Sequence, residues 1–432
     1  MSASFTERLQ REHAEALPGL PPGVVDGVRR AAALQRLLDA GLPGLRDDAW
    51  RYADLRPLAR TRLVPTVAAT DRVAEAAALL PAALDGLPRF VFVNGRYSAA
   101  LSANPAALTG GSLRTVDTGA AALPESGPAA ISVDERFAWL NEAFATDVAR
   151  LDVQGELRAE VLFLTLPNPD AGASYPRLEV SVAPGARLQL VERHLGGGPT
   201  ALVNAGGRLD IGANATVEHL RLQACAPDAS FLDSLLADIG AGARYTLTQL
   251  NLGAGSARNS LRVALSGEGS QLDLKSMSLA NGQRVLDTAI QVTHVGRRTT
   301  STQLLRAIAN ERSGASFSSY VDVAATAGGA DSRQSLKGLL GGAGAEVNLR
   351  PQLEISTDEV KASHGATTGA LDEGMLFYLL SRGLDPAVAR QLLEWAFLED
   401  VLSHVSPPAL RRQVELATLE RLGNSQALEA LL

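Results

Sequence analysis

The chain has 432 residues, 46% of them apolar and 20% charged, enough for a sizeable core and two or three domains. A net charge of −7 argues against a nucleic-acid groove, which needs a concentrated positive surface. The single cysteine, Cys225, excludes a disulfide framework within the chain and a metal cage built from its own thiolates.

The first twenty residues carry Glu7, Arg8, Arg11, Glu12 and His13 and lack the apolar h-region of a signal peptide. No stretch approaches the ~20 apolar residues of a membrane span. A cytoplasmic protein with no membrane partner is expected. From Pro22 to Ala40, Val24, Val28, Ala31, Leu34 and Leu38 recur at helical spacing, and Gly41 is a stop signal. Asp71 to Leu80 is a second helix candidate. Phe90 to Val93 reads as a short buried strand closed by the turn pair Asn94-Gly95. Residues 104–130 are rich in Gly, Ala, Ser, Thr and Pro and read as a loose connection. Leu140 to Ala145 suggests another short helix.

The pattern changes at about residue 155. Four segments share an apolar stretch, a small-residue turn and a return to alternating apolar positions: Val182-Ala-Pro-Gly-Ala186, Ile211-Gly-Ala-Asn-Ala215, Ile239-Gly-Ala-Gly-Ala243 and Leu265-Ser-Gly-Glu-Gly-Ser270. Their equivalent turn residues, Gly185, Asn214, Gly242 and Gly269, are those that best tolerate a positive φ. A near-fixed period with two-residue alternation predicts stacked strands, hence a β-solenoid. A β-sandwich with evenly spaced hairpins is the competing reading.

The last seventy residues return to helical spacing. Asp372 caps a helix through Ser381, with Gly383 as its stop. Asp385-Pro386 starts the next, with Val388, Leu392, Trp395 and Ala396 on one face. Pro407-Pro408 breaks it, and a third helix from Ala409 ends near Gly423 with Leu410, Val414 and Leu419 inward. The divisions expected are 1–154, helical with a short strand; 155–363, the solenoid; and 364–432, helical.

No Walker A loop, no Gly-x-Ser-x-Gly elbow and no His-Glu-x-x-His occurs. The six histidines are dispersed, none within four residues of another. Spacing selects no catalytic pair of carboxylates, and Cys225 reads as a small buried hydrophobe.

One long segment carries more. Pro351-Gln-Leu-Glu-Ile-Ser-Thr-Asp-Glu-Val-Lys-Ala-Ser-His-Gly-Ala-Thr-Thr-Gly369, followed by Leu371-Asp-Glu-Gly-Met-Leu-Phe-Tyr-Leu-Leu-Ser-Arg-Gly383, resembles the signature of the SufB/SufD family of iron–sulfur cluster assembly proteins. Supporting pieces stand in the family's order: Trp50-Arg51-Tyr52, Phe92-Val-Asn-Gly-Arg96, Leu140-Asn141 with Ala143-Phe144, Tyr175-Pro-Arg177, and Glu192 with His194.

The resemblance implies a mainly β fold, a right-handed parallel β-helix core flanked by N- and C-terminal helical regions. It implies a non-enzymatic subunit of a scaffold complex with SufB and the ATPase SufC. SufB chains supply cysteine thiolates, and this chain has only Cys225, outside the signature, so the SufD side of the family fits better. Many SufD sequences carry Cys two residues before the signature His, where this chain has Ala362. His364 is left as the candidate iron or cluster ligand at the SufB interface, through a neutral imidazole. The competing reading has it capping a strand-to-helix turn at Gly365.

Phe377, Tyr378, Leu392, Trp395 and Phe397 are candidates for SufC docking or for core. SufB is expected on an exposed strand edge around Leu336 to Ile355, where a second copy would pair in its absence. No cofactor is expected to be tightly bound in the isolated chain; iron or a cluster would pass transiently through the complex. A structural solenoid without metal, or a carbohydrate-active β-helix enzyme, are the alternatives.

Overall fold

A computed structural model of the protein describes residues 5–44, 47–66, 72–116, 135–167, 172–198 and 201–423. Among the described residues, four α-helices occur in the first third: α1 (Phe5–Ala16), α2 (Gly27–Ala40), α3 (Val73–Leu79) and α4 (Arg136–Phe144). The early strands are β1 (Arg89–Val93), β2 (Arg96–Tyr97), β3 (Gly111–Arg114), β4 (Ala149–Val153), β5 (Glu156–Thr165), β6 (Ala173–Ser174) and β7 (Arg177–Val182). The body is built from β8 (Arg187–Gly196), β9 (Leu202–Ile211), β10 (Thr216–Cys225), β11 (Ser230–Ile239), β12 (Arg244–Asn251) and β13 (Ser256–Leu265). It continues through β14 (Gln271–Ala280), β15 (Val285–His294), β16 (Thr300–Ala309), β17 (Gly314–Val323), β18 (Ala330–Leu340), β19 (Glu346–Ile355) and β20 (Val360–Ala370). Three helices close the described chain: α5 (Glu373–Ser381), α6 (Pro386–Leu402) and α7 (Pro408–Leu422).

The strands wind into a β-solenoid of about seven turns. From β8 onward, even-numbered strands pair in parallel in one sheet and odd-numbered strands in the other. The corners explain the winding. Gly185, Asn214, Gly242 and Gly269 have φ of 75°, 58°, 64° and 69°. Each donates its N–H to a carbonyl of the next corner: to Ala213, Ala241, Glu268 and Arg297, at 2.8–2.9 Å. The four are equivalent, as their spacing predicts. The series continues through Arg298 (φ 52°) and Gly329 (φ 82°), where a non-glycine takes the left-handed conformation.

Register makes stacked residues share a face. Leu188, Val217, Tyr245 and Leu272 stack inward on the first sheet, facing Leu209, Ala237, Val263 and Val292 from the second. Each buried leucine contributes about 1.5–3 kcal/mol relative to exposure.

The outer face of the first sheet is also apolar, and α6 and α7 cover it. Trp395, Leu398, Val401, Leu410, Val414 and Leu419 pack with Leu220, Leu250, Met277, Leu279 and Ile308. The helical tail is therefore part of the core. The outer face of the second sheet meets α1, α2 and α4 around Leu202 and Leu232. Beyond them the Trp50-Arg51-Tyr52 segment lies along the same face: the Arg258 guanidinium sits 4.4 Å from the Trp50 ring centroid, and Ser256 Oγ donates to the Asp54 carbonyl at 2.5 Å.

Three sequence expectations change. The α2 helix is present with its Asp26 cap and Gly41 stop, but its buried face is Arg30, Ala33 and Leu37, and Val28 is 81% exposed. Arg30 goes inside because its guanidinium donates to the carbonyls of Val25, Ala143 and Ala145. The 154/155 and 363/364 divisions also differ from the strands. β1 pairs with β5 in the first sheet, β4 joins the second, and β20 runs through residue 364 to Ala370. Thirdly, of the edge expected around Leu336 to Ile355, Leu336 is fully buried on β18 between β16 and β20, while β19 (Glu346–Ile355) is the last strand of its sheet and β20 that of the other. Asp71 and residues 117–130 of the expected connection lie outside the described residues.

Candidate functional site

The interior is not uniformly apolar. Seven residues after each of the four corner residues stand Glu192, Arg221, Gln249 and Ser276, and these four are in register across β8, β10, β12 and β14. This ladder repeats with the corners, but its residue types differ at every step, so no sequence motif marks it.

At its near end lies a buried ionic cluster. Arg221 donates to both oxygens of Glu192 at 2.8 Å, and across the interior to Asp233 on β11 at 2.7 Å. The Nε2 atoms of His194 and His219 meet the same carboxylate at 2.6 and 3.0 Å, so both imidazoles donate there. The Tyr245 hydroxyl completes His219 at Nδ1, 3.0 Å away. Burial pushes the Glu192 carboxyl up, but the charge and hydrogen bonds of Arg221 with those of the two histidines hold it well below the carboxylate range. Burial pushes the His219 pKa down against the pull of Glu192. Cys225 closes the same strand as a buried thiol, pushed up to about 12 by desolvation, which suppresses the reactive thiolate.

At the far end the interior opens. His364 is in the middle of β20, in register with Gln334 of β18, so it shares the inward column and not a turn. It is exposed because β20 is the last strand of its sheet. Behind it runs a buried polar chain. Gln334 Nε2 donates to Ser319 Oγ at 3.1 Å, and Ser319 donates to Gln303 Oε1 at 2.6 Å.

Among the described residues no group of three or more His, Cys, Asp or Glu side chains is arranged to hold a metal ion. His364 therefore supplies at most one ligand of a shared site, and Ala362 beside it adds none. The capping role at Gly365 is not what β20 shows, since residue 365 continues the strand.

The five apolar candidates separate. Phe377 and Tyr378 on α5 are 72% and 56% exposed, beside Met375 at 61%. Trp395 is core, and Leu392 and Phe397 pack partly buried against the same cluster. Helix α5 is capped by Asp372 yet buries no residue. No residue of β20 is buried, and the neighbouring β19 is only partly covered. One end of the solenoid thus presents an open strand edge, an imidazole and an apolar helix together. No helix among the described residues is long and apolar enough to cross a membrane.

Comparison with known proteins gives this end a context. Residues 165–397 match the family described as SUF system FeS cluster assembly, SufBD core domain. The chain is 30% identical over 400 residues to the iron–sulfur cluster assembly protein SufD of Escherichia coli, covering 90% of each. It is 30% identical over 406 residues to an iron–sulfur cluster assembly SufBD family protein of Synechocystis, covering 89% of this chain and 88% of that one. A SufBD family protein of Mycobacterium bovis is 27% identical over 398 residues. The match spans both the corners of the solenoid and the signature around His364, so the chain belongs to the SufB/SufD family of iron–sulfur cluster assembly proteins.

Proposed function

We propose that this chain is a non-catalytic, SufD-like subunit of a cytoplasmic scaffold complex. It pairs with a SufB chain through its last coil and docks the SufC ATPase through α5 and the adjoining surface of α6. Iron or a nascent cluster is the cargo that passes this interface, and His364 offers it one imidazole. The carrying observation is the uncovered end: β19, β20 and α5 bury no residue in a protein whose other long strands are mostly buried. Unpaired backbone groups at a sheet edge favour addition of another strand, and exposed aromatic residues favour a protein partner. Without SufB, a second copy of the chain would use the same edge.

A sugar-cleaving reading has less support. A cleft of about 730 Å³ lies between residues 50–56 and the second sheet, and its lining carboxylates are Asp54 and Glu346. Both oxygens of Asp54 accept from Arg56 at 2.8 Å, and those bonds hold its carboxyl below the usual range, so it is no proton donor near neutral pH.

The test is co-expression with SufB and SufC, anaerobic purification, and assay of iron and sulfide. His364→Ala should lower both severalfold and leave the melting temperature and complex recovery unchanged. His364→Cys should retain part of the yield, since thiolate also binds iron. Normal yield from the alanine variant would remove His364 from the site.

SufC docking needs a point substitution, because deleting residues 370–432 would strip α6 and α7 from the core. Phe377→Asp changes an exposed residue and should reduce SufC capture while the isolated chain melts as before. Undiminished capture would place the ATPase elsewhere.

A further inference from the structure

The polar chain behind His364 has a direction. Ser319 has one proton, and it goes to Gln303 Oε1; its oxygen is then an acceptor and draws the Nε2 end of Gln334. The amide of Gln334 is thereby turned so that Oε1 has no protein partner, although the residue is 4% exposed. A buried carbonyl oxygen without a donor costs about 1–3 kcal/mol. The register neighbour of Gln334 on the open side is His364, whose side chain lies in the same inward column.

We infer that Gln334 is a positioning residue for His364. Its amide oxygen accepts the N–H of one imidazole nitrogen, selects a single tautomer, and leaves the other nitrogen's lone pair directed toward the open end. This rests on the ligand role proposed for His364 and supplies what that role needs, because a ligating imidazole is oriented by the bond its second nitrogen makes. Gln303 and Ser319 are the fixed end of the device, held 1% and 0% exposed on two facing strands.

The experiment is nitrogen NMR of the full-length chain labelled with 15N-histidine, at a pH above the ordinary histidine range. His364 is assigned by the resonance missing from His364→Ala, and the shifts of its two nitrogens report the tautomer. The wild type should show one dominant tautomer. Gln334→Met removes the acceptor without orphaning Ser319, which still donates to Gln303, and should raise the minor tautomer severalfold. Gln334→Glu keeps an acceptor oxygen and should restore the wild-type ratio. Should the methionine variant fold poorly, Ser319→Ala frees the Gln334 amide to turn and should give the same mixture. An unchanged ratio in both Gln334→Met and Ser319→Ala, or a mixture already in the wild type, overturns the inference. The readout uses no cargo. A normal cluster yield in His364→Ala alongside a tautomer that responds to Gln334 would therefore refute the ligand role while upholding the positioning contact.

Discussion

Glu192→Ala should lower the unfolding free energy by about 3–5 kcal/mol, the usual consequence of removing one partner from a buried ion pair. The carboxylate accepts from Arg221 at both oxygens and from two imidazoles, so its loss orphans several donors at once. Arg221 keeps Asp233, which limits the damage to one of its two partners. His194 and His219 would each keep a buried N–H with nothing to receive it. Glu192→Gln should cost roughly half as much. Its amide oxygen still accepts from Arg221, and its NH₂ can face an imidazole that has changed tautomer. Urea unfolding of the three proteins at pH 7.5 measures both differences. A Glu192→Ala loss below about 1 kcal/mol would mean that solvent reaches the cluster and that Arg221 is not held in low dielectric.

How much of this was legible beforehand depended on which residues broke a pattern. The corners were readable because glycine and asparagine mark positive φ, and the reading stopped where Arg298 took the same conformation without announcing it. The ladder from Glu192 to Ser276 shares the corner period, yet it is recognisable only once the inward parity of each strand is known. Arg30 is not legible as core because a charged residue at helical spacing reads as surface; carbonyls from α4 and its loop make its burial possible.

The helical tail shows a different limit. Phe377 and Trp395 are both large aromatics on helices, and only packing against Leu250 and Met277 makes one of them core. The 363/364 division cuts through β20 for a related reason. The strand continues through Gly365 and Gly369, with nothing within 4 Å of a side chain added at either. An open edge puts no packing demand on those positions, so no burial pattern marks the strand there.

Acid should destabilise the isolated chain in two separable windows. His294 ends β15 fully buried, with Nδ1 2.8 Å from Thr299 Oγ1 and Nε2 2.8 Å from Ser301 Oγ. Ser301 donates onward to Ser332, so it accepts from His294 Nε2–H, and Nδ1 is left to accept from Thr299, whose one hydroxyl proton favours this 2.8 Å contact over the 3.3 Å contact with the Gly296 carbonyl. The neutral ring is fully satisfied, and burial pulls its pKa from 6.5 down to about 4, only weakly opposed by Asp331. A depressed histidine pKa means that the unfolded chain takes up the proton first as pH falls. Stability is therefore complete above pH 6.5 and declines until about pH 4, by roughly 3 kcal/mol for His294. His219, also shifted down by burial, adds in the same direction. Glu192 acts lower. Its depressed pKa gives stability that is present above its unfolded value of 4.5 and disappears only as pH drops through the folded value. Urea midpoints between pH 8 and pH 3.5 should fall in the first window for the wild type. His294→Gln, whose amide can still donate to Ser301 and accept from Thr299, should fall less there and follow the wild type below pH 4. If its midpoint drops as steeply as that of the wild type between pH 6.5 and 4, the ring at position 294 already carries a proton in the folded chain, and the buried neutral assignment is wrong.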